Sequence, residues 1–128
     1  MNPAPFCLIG IVNVTPDSFS DGGKYIAPRN AVAHGLRLLD EGAGMLDLGA
    51  ESTRPFAEPV PEGEEIARLM PVVARLREQR PDAVLSVDTL KAGTARAALE
   101  GGADIINDVS ACVADPALLD VLAEYKPG

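Results

Sequence analysis

Four short apolar runs recur along the chain, and each is followed by a segment with the spacing of an amphipathic helix. The runs cover residues 6–14, 45–50, 84–88 and 103–109. They are continuous rather than alternating, which is typical of strands buried on both faces of a sheet. Such strands, alternating with helices, predict an α/β protein with one parallel sheet and right-handed crossovers.

Prolines and small polar residues mark the expected ends of the helices. Pro28 suits the first position of the first helix. Pro71 lies inside the apolar stripe of the second helix, which predicts a kink or a short break there. The residues expected to cap or open the last two helices are Thr89, Asp115 and Pro116.

Composition excludes several classes of protein. A length of 128 residues allows one domain, and the net charge of −8 argues against general nucleic-acid binding. No apolar run approaches the roughly 20 residues of a membrane span, and the N-terminus lacks the basic residues of a secretory signal. We therefore expect a cytoplasmic protein with neither membrane nor nucleic acid as a partner, in which Cys7 and Cys112 are buried, reduced thiols.

Oxygen-rich side chains lie at or near the end of each predicted strand, namely Asn13, Asp47, Asp88 and Asn107. In parallel α/β folds the ligand lies beyond the carboxyl ends of the strands. We therefore expect these side chains to converge at the mouth of one binding site, at the carboxyl-terminal edge of the sheet. A planar heterocycle rich in N–H and C=O groups would satisfy their hydrogen bonds. The alternative is that they cap neighbouring helices or hold loops in place.

Two long polar loops follow the first two strands. The glycine-rich stretch in the first loop matches neither the dinucleotide fingerprint nor the Walker pattern. Arg54 in the second loop is suited to pairing with an anion, or it is an ordinary surface arginine. The sequence contains no evident Ser-His-Asp set and no dedicated metal motif, which disfavours a hydrolase. An Mg²⁺ ion shared with the phosphates of a ligand stays compatible with the sequence.

Several segments resemble the signatures of dihydropteroate synthases, in the order and at the spacing of that family. Residues 10–23 (GIVNVTPDSFSDGG) resemble the first signature, and residues 47–55 (DLGAESTRP) resemble the second. Residues 86–89 and 105–108 resemble the ends of the third and fourth strands. The resemblance implies a (β/α)₈ barrel, of which residues 1–128 would be the N-terminal half with its first four βα units.

The resemblance also implies an activity, a cofactor and residue roles. The reaction would join (7,8-dihydropterin-6-yl)methyl diphosphate to 4-aminobenzoate, a transferase step of folate biosynthesis that sulfonamides inhibit in this family. Asn13 would bind Mg²⁺ at the diphosphate, and Asp88 and Arg54 would be catalytic. The pterin pocket would contain Thr53, Asp88, Asn107 and Asp47. The loops over diphosphate and aminobenzoate would contain Thr15, Pro16, Asp17, Ser18, Phe19 and Pro55.

The chain departs from the family pattern in two loop positions and in its length. Phe56 and Ala50 stand where the family usually has glycine, and the family's later Asp, Lys and Arg-x-His ligands are not present in residues 1–128. We expect little or no activity from this chain alone. We also expect pairing of two copies, or association with a missing C-terminal half, through exposed edge strands. The alternatives are a non-catalytic pterin-binding or structural half-barrel, and the pterin-binding domain of a methyltetrahydrofolate methyltransferase.

Overall fold

The fold is described by a computed structural model, which covers residues 7–14, 28–50, 60–108, 112 and 114–127. Strands and helices alternate throughout these residues, as predicted. In chain order they are β1 (Ile9–Asn13), α1 (Pro28–Asp40), β2 (Met45–Gly49), α2 (Glu62–Gln79), β3 (Val84–Asp88), α3 (Ala92–Glu100), β4 (Ile105–Asn107) and α4 (Leu118–Tyr125). Within these ranges, no helix combines the length and the apolar character that a membrane crossing requires.

The four strands form one parallel sheet in the order β1-β2-β3-β4. Each pair of neighbouring strands is joined through a helix, as parallel pairing requires. Spatial order equals chain order, which is how successive strands are arranged around the wall of a (β/α)₈ barrel. The predicted parallel α/β architecture is confirmed.

Within the described residues, helices cover only one face of the sheet. On that face Leu46, Leu48, Leu85 and Val87 are fully buried, and α2 packs Leu69, Val72, Val73 and Leu76 against them. On the other face Ile9, Ile11 and Val84 are 51%, 61% and 37% exposed. The expectation that every strand is buried on both faces is therefore wrong for the described residues, because β1 alternates exposed and buried positions.

Helix α2 continues through Pro71 without a break. A proline lacks the N–H that would bond to the carbonyl four residues earlier, here Ala67. Ala67 is exposed, so water can take the place of that hydrogen bond. The predicted short break at Pro71 is therefore wrong, and the alternative prediction, a kink, stays a prediction.

The N-terminus of α3 is satisfied by carboxylates from other elements, and Thr89 is not its cap. The N–H of Ala92 donates to Asp115 Oδ2 at 2.9 Å, and the N–H of Gly93 donates to Glu62 Oε2 at 3.1 Å. Both carboxylates lie at the positive end of the helix dipole, where negative charge is favoured. The predicted cap is wrong because α3 begins three residues after Thr89, at Ala92.

Helix α4 begins later than Pro116 suggests. The N–H of Leu118 donates to the carbonyl of Asp115 at 3.0 Å, which closes a tight turn over Pro116 and Ala117. Asp115 does accept a hydrogen bond from the N–H of Ala117, at 3.2 Å. The helix starts only after this turn, at Leu118.

Arg77 on α2 joins the segments that lead into β3 and β4. Its guanidinium donates to the carbonyl of Gly102 at 2.7 and 3.1 Å, and to the carbonyls of Pro81 and Ala83, each at 2.7 Å. It also pairs with Asp104 at 2.7 Å. Gly102 has a φ of +114°, a backbone conformation that favours glycine. This set of bonds fixes the amino-terminal end of the sheet.

The two cysteines are free, but they are less buried than the sequence suggests. Cys7 is exposed because it precedes β1, where no described helix covers it. Cys112 is half-buried, and this partial burial raises the pKa of its thiol, with the Asp108 carboxylate acting in the same direction. The expectation of two buried thiols is wrong for Cys7.

Candidate functional site

Three of the four predicted strand-end residues lie in one row across the sheet. The register aligns Asn13 with Gly49, Gly49 with Asp88, and Asp88 with Asn107. Side chains alternate between the two faces of a strand, so this row lies on the face opposite the buried leucines. Asp47 lies on the same face, one row closer to the amino-terminal end of the sheet. The register confirms that these residues lie on one face near the carboxyl ends of the strands, and their convergence on a ligand stays a prediction.

Asp47 carries a hydrogen-bond acceptor that no described residue uses. Asn107 Nδ2 donates to Asp47 Oδ2 at 3.3 Å, across the intervening strand β3. The other oxygen, Oδ1, is buried and has no hydrogen-bond partner among the described residues. A buried acceptor without a partner is costly and uncommon in native proteins. Oδ1 of Asp47 is therefore able to accept a further hydrogen bond.

Gly49 leaves a gap in the row between Asn13 and Asp88. A Cβ built at Gly49 would lie 3.7 Å from Asp88 Cβ, in ordinary contact, so the gap is open on the face that carries the row. Beside the row, the N–H of Val14 donates to the carbonyl of Gly49 at 2.7 Å. The backbone is therefore fixed where the side chains leave room for a flat group.

The predicted site residues of the two loops lie outside the described residues. They are Thr15, Pro16, Asp17, Ser18, Phe19, Thr53, Arg54 and Pro55, and Phe56 lies there too. Their roles stay predictions, as do the roles of Asn13, Asp47, Asp88 and Asn107 toward a substrate.

Arg68 holds the point where the second loop leaves β2, and sequence reasoning missed it. Its Nη1 donates to the carbonyl of Ala50 at 3.0 Å, and its Nη2 pairs with Glu64 at 2.6 Å. The signal in the sequence is the spacing of Glu64 and Arg68, which places opposite charges one turn apart on a helix. Ala50 itself is fully buried, so its methyl group fits without disturbing the end of β2.

A buried carboxylate behind the row was also missed. Glu65 is 1% exposed, accepts a short hydrogen bond from the hydroxyl of Thr89, and pairs with Lys91 Nζ at 2.9 Å. The sequence contains a signal, because Glu65, Leu69, Val72 and Leu76 have the spacing of a single helix face. An acid at a core position of an amphipathic helix indicates a specific partner.

The family model described as pterin binding enzyme matches residues 9–128. The chain belongs to the pterin binding enzyme family. The dihydropteroate synthase of Mycobacterium leprae is 49% identical to it over 124 residues, which cover 97% of this chain and 43% of that protein.

Two solved structures of the family superpose on this chain. The dihydropteroate synthase of Xanthomonas albilineans with 4-aminobenzoic acid matches at a TM-score of 0.86 and 53% identity, over 94% of this chain and 44% of that one. A structure of the same enzyme with 7,8-dihydropteroate matches at a TM-score of 0.80 and 49% identity, over 94% and 43%. The predicted fold class is confirmed as four βα units of a (β/α)₈ barrel. The chain spans less than half the length of these relatives.

Proposed function

We propose that this chain is part of a dihydropteroate synthase, which joins (7,8-dihydropterin-6-yl)methyl diphosphate to 4-aminobenzoate and releases diphosphate. The observation that carries the proposal is the row of Asn13, Asp88 and Asn107 beside Asp47 Oδ1, which has no partner in the part of the chain that the structure describes. A pterin ring offers a flat face and several N–H donors, which match this set of acceptors. Over the aligned residues, about half are identical between this chain and these relatives, which are dihydropteroate synthases.

Asp47 and Asn107 are proposed to bind the polar edge of the pterin. The Asn107 amide orients one carboxylate oxygen of Asp47 and leaves the other to accept from a ring N–H. A hydrogen bond to a buried carboxylate is worth about 1.5–3 kcal/mol. Thr53 and the loop residues, which lie outside the described residues, are also proposed to contribute to the pocket.

Asn13 is proposed to bind Mg²⁺ at the diphosphate end. Within the described ranges, no three His, Cys, Asp or Glu residues are grouped as metal ligands. Mg²⁺ commonly takes only one or two protein ligands and completes its shell with water and substrate phosphates. The exposed carboxamide of Asn13, at the mouth of the sheet, fits that requirement. When bound, the ion would take up charge on the diphosphate and make it a better leaving group.

Asp88 is proposed to stabilise positive charge on the pterin. The C–O bond from the methylene to diphosphate breaks with the electron pair going to diphosphate, and the aminobenzoate nitrogen forms a C–N bond to that carbon before losing a proton. A half-buried carboxylate beside the ring favours the cationic character that develops at the methylene. Arg54 is proposed to pair with an anionic group of the substrates. No covalent bond to the protein is needed.

The test uses a complete barrel in which this chain replaces the matching segment of the Xanthomonas albilineans enzyme. Formation of 7,8-dihydropteroate from the two substrates is expected, and the 128-residue chain alone should show little or no turnover. A chimera that folds cooperatively, binds pterin and yet forms no product would contradict the proposal. That outcome would favour a non-catalytic pterin-binding role.

Matched variants test the assigned residues. Asp47→Asn and Asp88→Asn should each weaken binding of the pterin diphosphate by about tenfold to a hundredfold, measured by calorimetry. Asp82→Asn is the control, because it removes the same charge from an exposed position at the opposite end of the sheet. Equal affinities for Asp82→Asn and Asp47→Asn would show that only net charge matters.

The uncovered face of the sheet supports the proposal of a partner. Ile9, Ile11 and Val84 form an apolar surface on the side where a (β/α)₈ barrel has its interior. We expect the remaining half of a barrel to cover it, and the 128-residue chain alone to self-associate. A sedimentation experiment that finds a stable monomer at micromolar concentration would contradict this. The cytoplasmic location stays a prediction.

A further inference from the structure

Glu65 occupies a position that core packing does not explain. It lies on the face of α2 that carries Leu69, Val72 and Leu76, and it is 1% exposed. An aliphatic residue there would fill the same space without the cost of removing a carboxylate from water. We therefore look for the role of this carboxylate in the groups that it binds, Thr89 and Lys91.

All of these partners lie in the turn that follows β3. The hydroxyl of Thr89 donates to one carboxylate oxygen of Glu65, and Lys91 Nζ pairs with the other at 2.9 Å. The N–H of Lys91 donates back to Thr89 Oγ1 at 3.1 Å. Each of the three residues is thus bonded to the other two, and such closed networks fix local geometry.

Thr89 connects this network to the candidate site. It directly follows Asp88 in the chain, and its own N–H donates to the carbonyl of Asn107 at 3.1 Å. Asp88 and Asn107 are register partners in the row. A displacement of Thr89 therefore moves both of these residues. Helix capping does not account for Glu65, because Glu62 and Asp115 accept the first N–H groups of α3.

We infer that Glu65 is a positioning residue for the pterin pocket, which acts through Thr89 to set the backbone of Asp88 and Asn107. The identity of the ligand as a pterin rests on the proposed function, whereas the geometric part does not. Side chains that bind substrate need support of this kind, because small displacements cost affinity.

The experiment has one readout that needs no ligand. Amide and side-chain NMR resonances of Asp88 and Asn107 are recorded in the full chain for the wild type, Glu65→Gln, Thr89→Val and Thr89→Ser. Thr89→Val and Glu65→Gln should shift these resonances, and Thr89→Ser should restore them, because serine keeps the hydroxyl. Glu78→Gln is the control, since it removes the same charge from an exposed position of the same helix.

The second readout is pterin binding by the chimeric barrel. Thr89→Val should weaken binding of the pterin diphosphate about tenfold and leave the Michaelis constant for the aminobenzoate substrate unchanged, and Thr89→Ser should recover the affinity. Wild-type resonances and wild-type pterin affinity in both Glu65→Gln and Thr89→Val would overturn the inference. If the wild-type barrel binds no pterin, the proposed function fails, and the NMR comparison alone still decides whether Glu65 positions the row.

Discussion

Replacing Arg77 by methionine tests how strongly the amino-terminal end of the sheet depends on one side chain. Methionine keeps the apolar stem of the side chain and removes every hydrogen bond of the guanidinium. Three carbonyls, those of Pro81, Ala83 and Gly102, then lose a charged donor. The ion pair with Asp104 is lost as well.

The expected loss of stability in Arg77→Met is estimated from the exposure of the bonded groups. The side chains of Arg77 and Asp104 are 25% and 48% exposed, so the ion pair itself contributes less than about 1 kcal/mol. Each of the three carbonyl bonds contributes about 1 kcal/mol net, and water replaces part of that in the variant. We expect the free energy of unfolding to fall by about 2–3 kcal/mol.

Urea denaturation followed by circular dichroism measures this loss. Arg75→Met is the control, because Arg75 is exposed on the same helix and forms no ion pair within the described residues; its effect should stay within about 0.5 kcal/mol. The deficit of Arg77→Met should persist in about 1 M NaCl, where exposed ion pairs are screened. A deficit equal to that of the control, or one that disappears in salt, would contradict the assignment to the three carbonyl bonds.

Three further changes address the backbone, the core and pH. Gly102→Ala should cost about 1–3 kcal/mol at its φ of +114°, and more than Gly42→Ala, which has a φ of +112° but no neighbour within 4 Å. Leu46→Ala should cost about 2–5 kcal/mol in the same denaturation assay. The hydrogen bond to Glu100 raises the pKa of Tyr125 above its usual 10.0, so the folded state holds that proton more tightly. The wild type should have a higher free energy of unfolding than Tyr125→Phe at neutral pH, and this difference should decrease as the pH rises above 10. A difference that does not change with pH would exclude this linkage.

The sequence predicts the order of elements because each strand and helix has its own period and its own end signals. Pro28, for example, opens α1 as expected. Some of the residues that sequence reasoning misjudged have partners that are distant in the chain. Thr89 has the chemistry of a helix cap, yet its hydroxyl bonds to a glutamate 24 residues away. Only the packing of α2 against the turn after β3 reveals that contact.

In the candidate site, too, some features could be predicted from the sequence and others depend on contacts between distant residues. Asn13, Asp88 and Asn107 could be placed together because parallel strands end at one edge. The unpaired oxygen of Asp47 could not be predicted, since it depends on where the Asn107 amide points across β3. The break expected at Pro71 was wrong because its cost depends on whether water reaches Ala67, and a pattern of residue types does not encode that.

Helix α2 holds β3 at both of its ends. Arg77 bonds to the residue before the strand, and Glu65 bonds to the residue after it. The helix has 18 residues and a length of about 27 Å, and it is stiff on the scale of the sheet. β3 is therefore attached at both ends to the same helix, and we expect the strand and the helix to move together. Amides of β3 and α2 should exchange with solvent together, as a single cooperative unit, rather than opening from the mouth of the sheet inward.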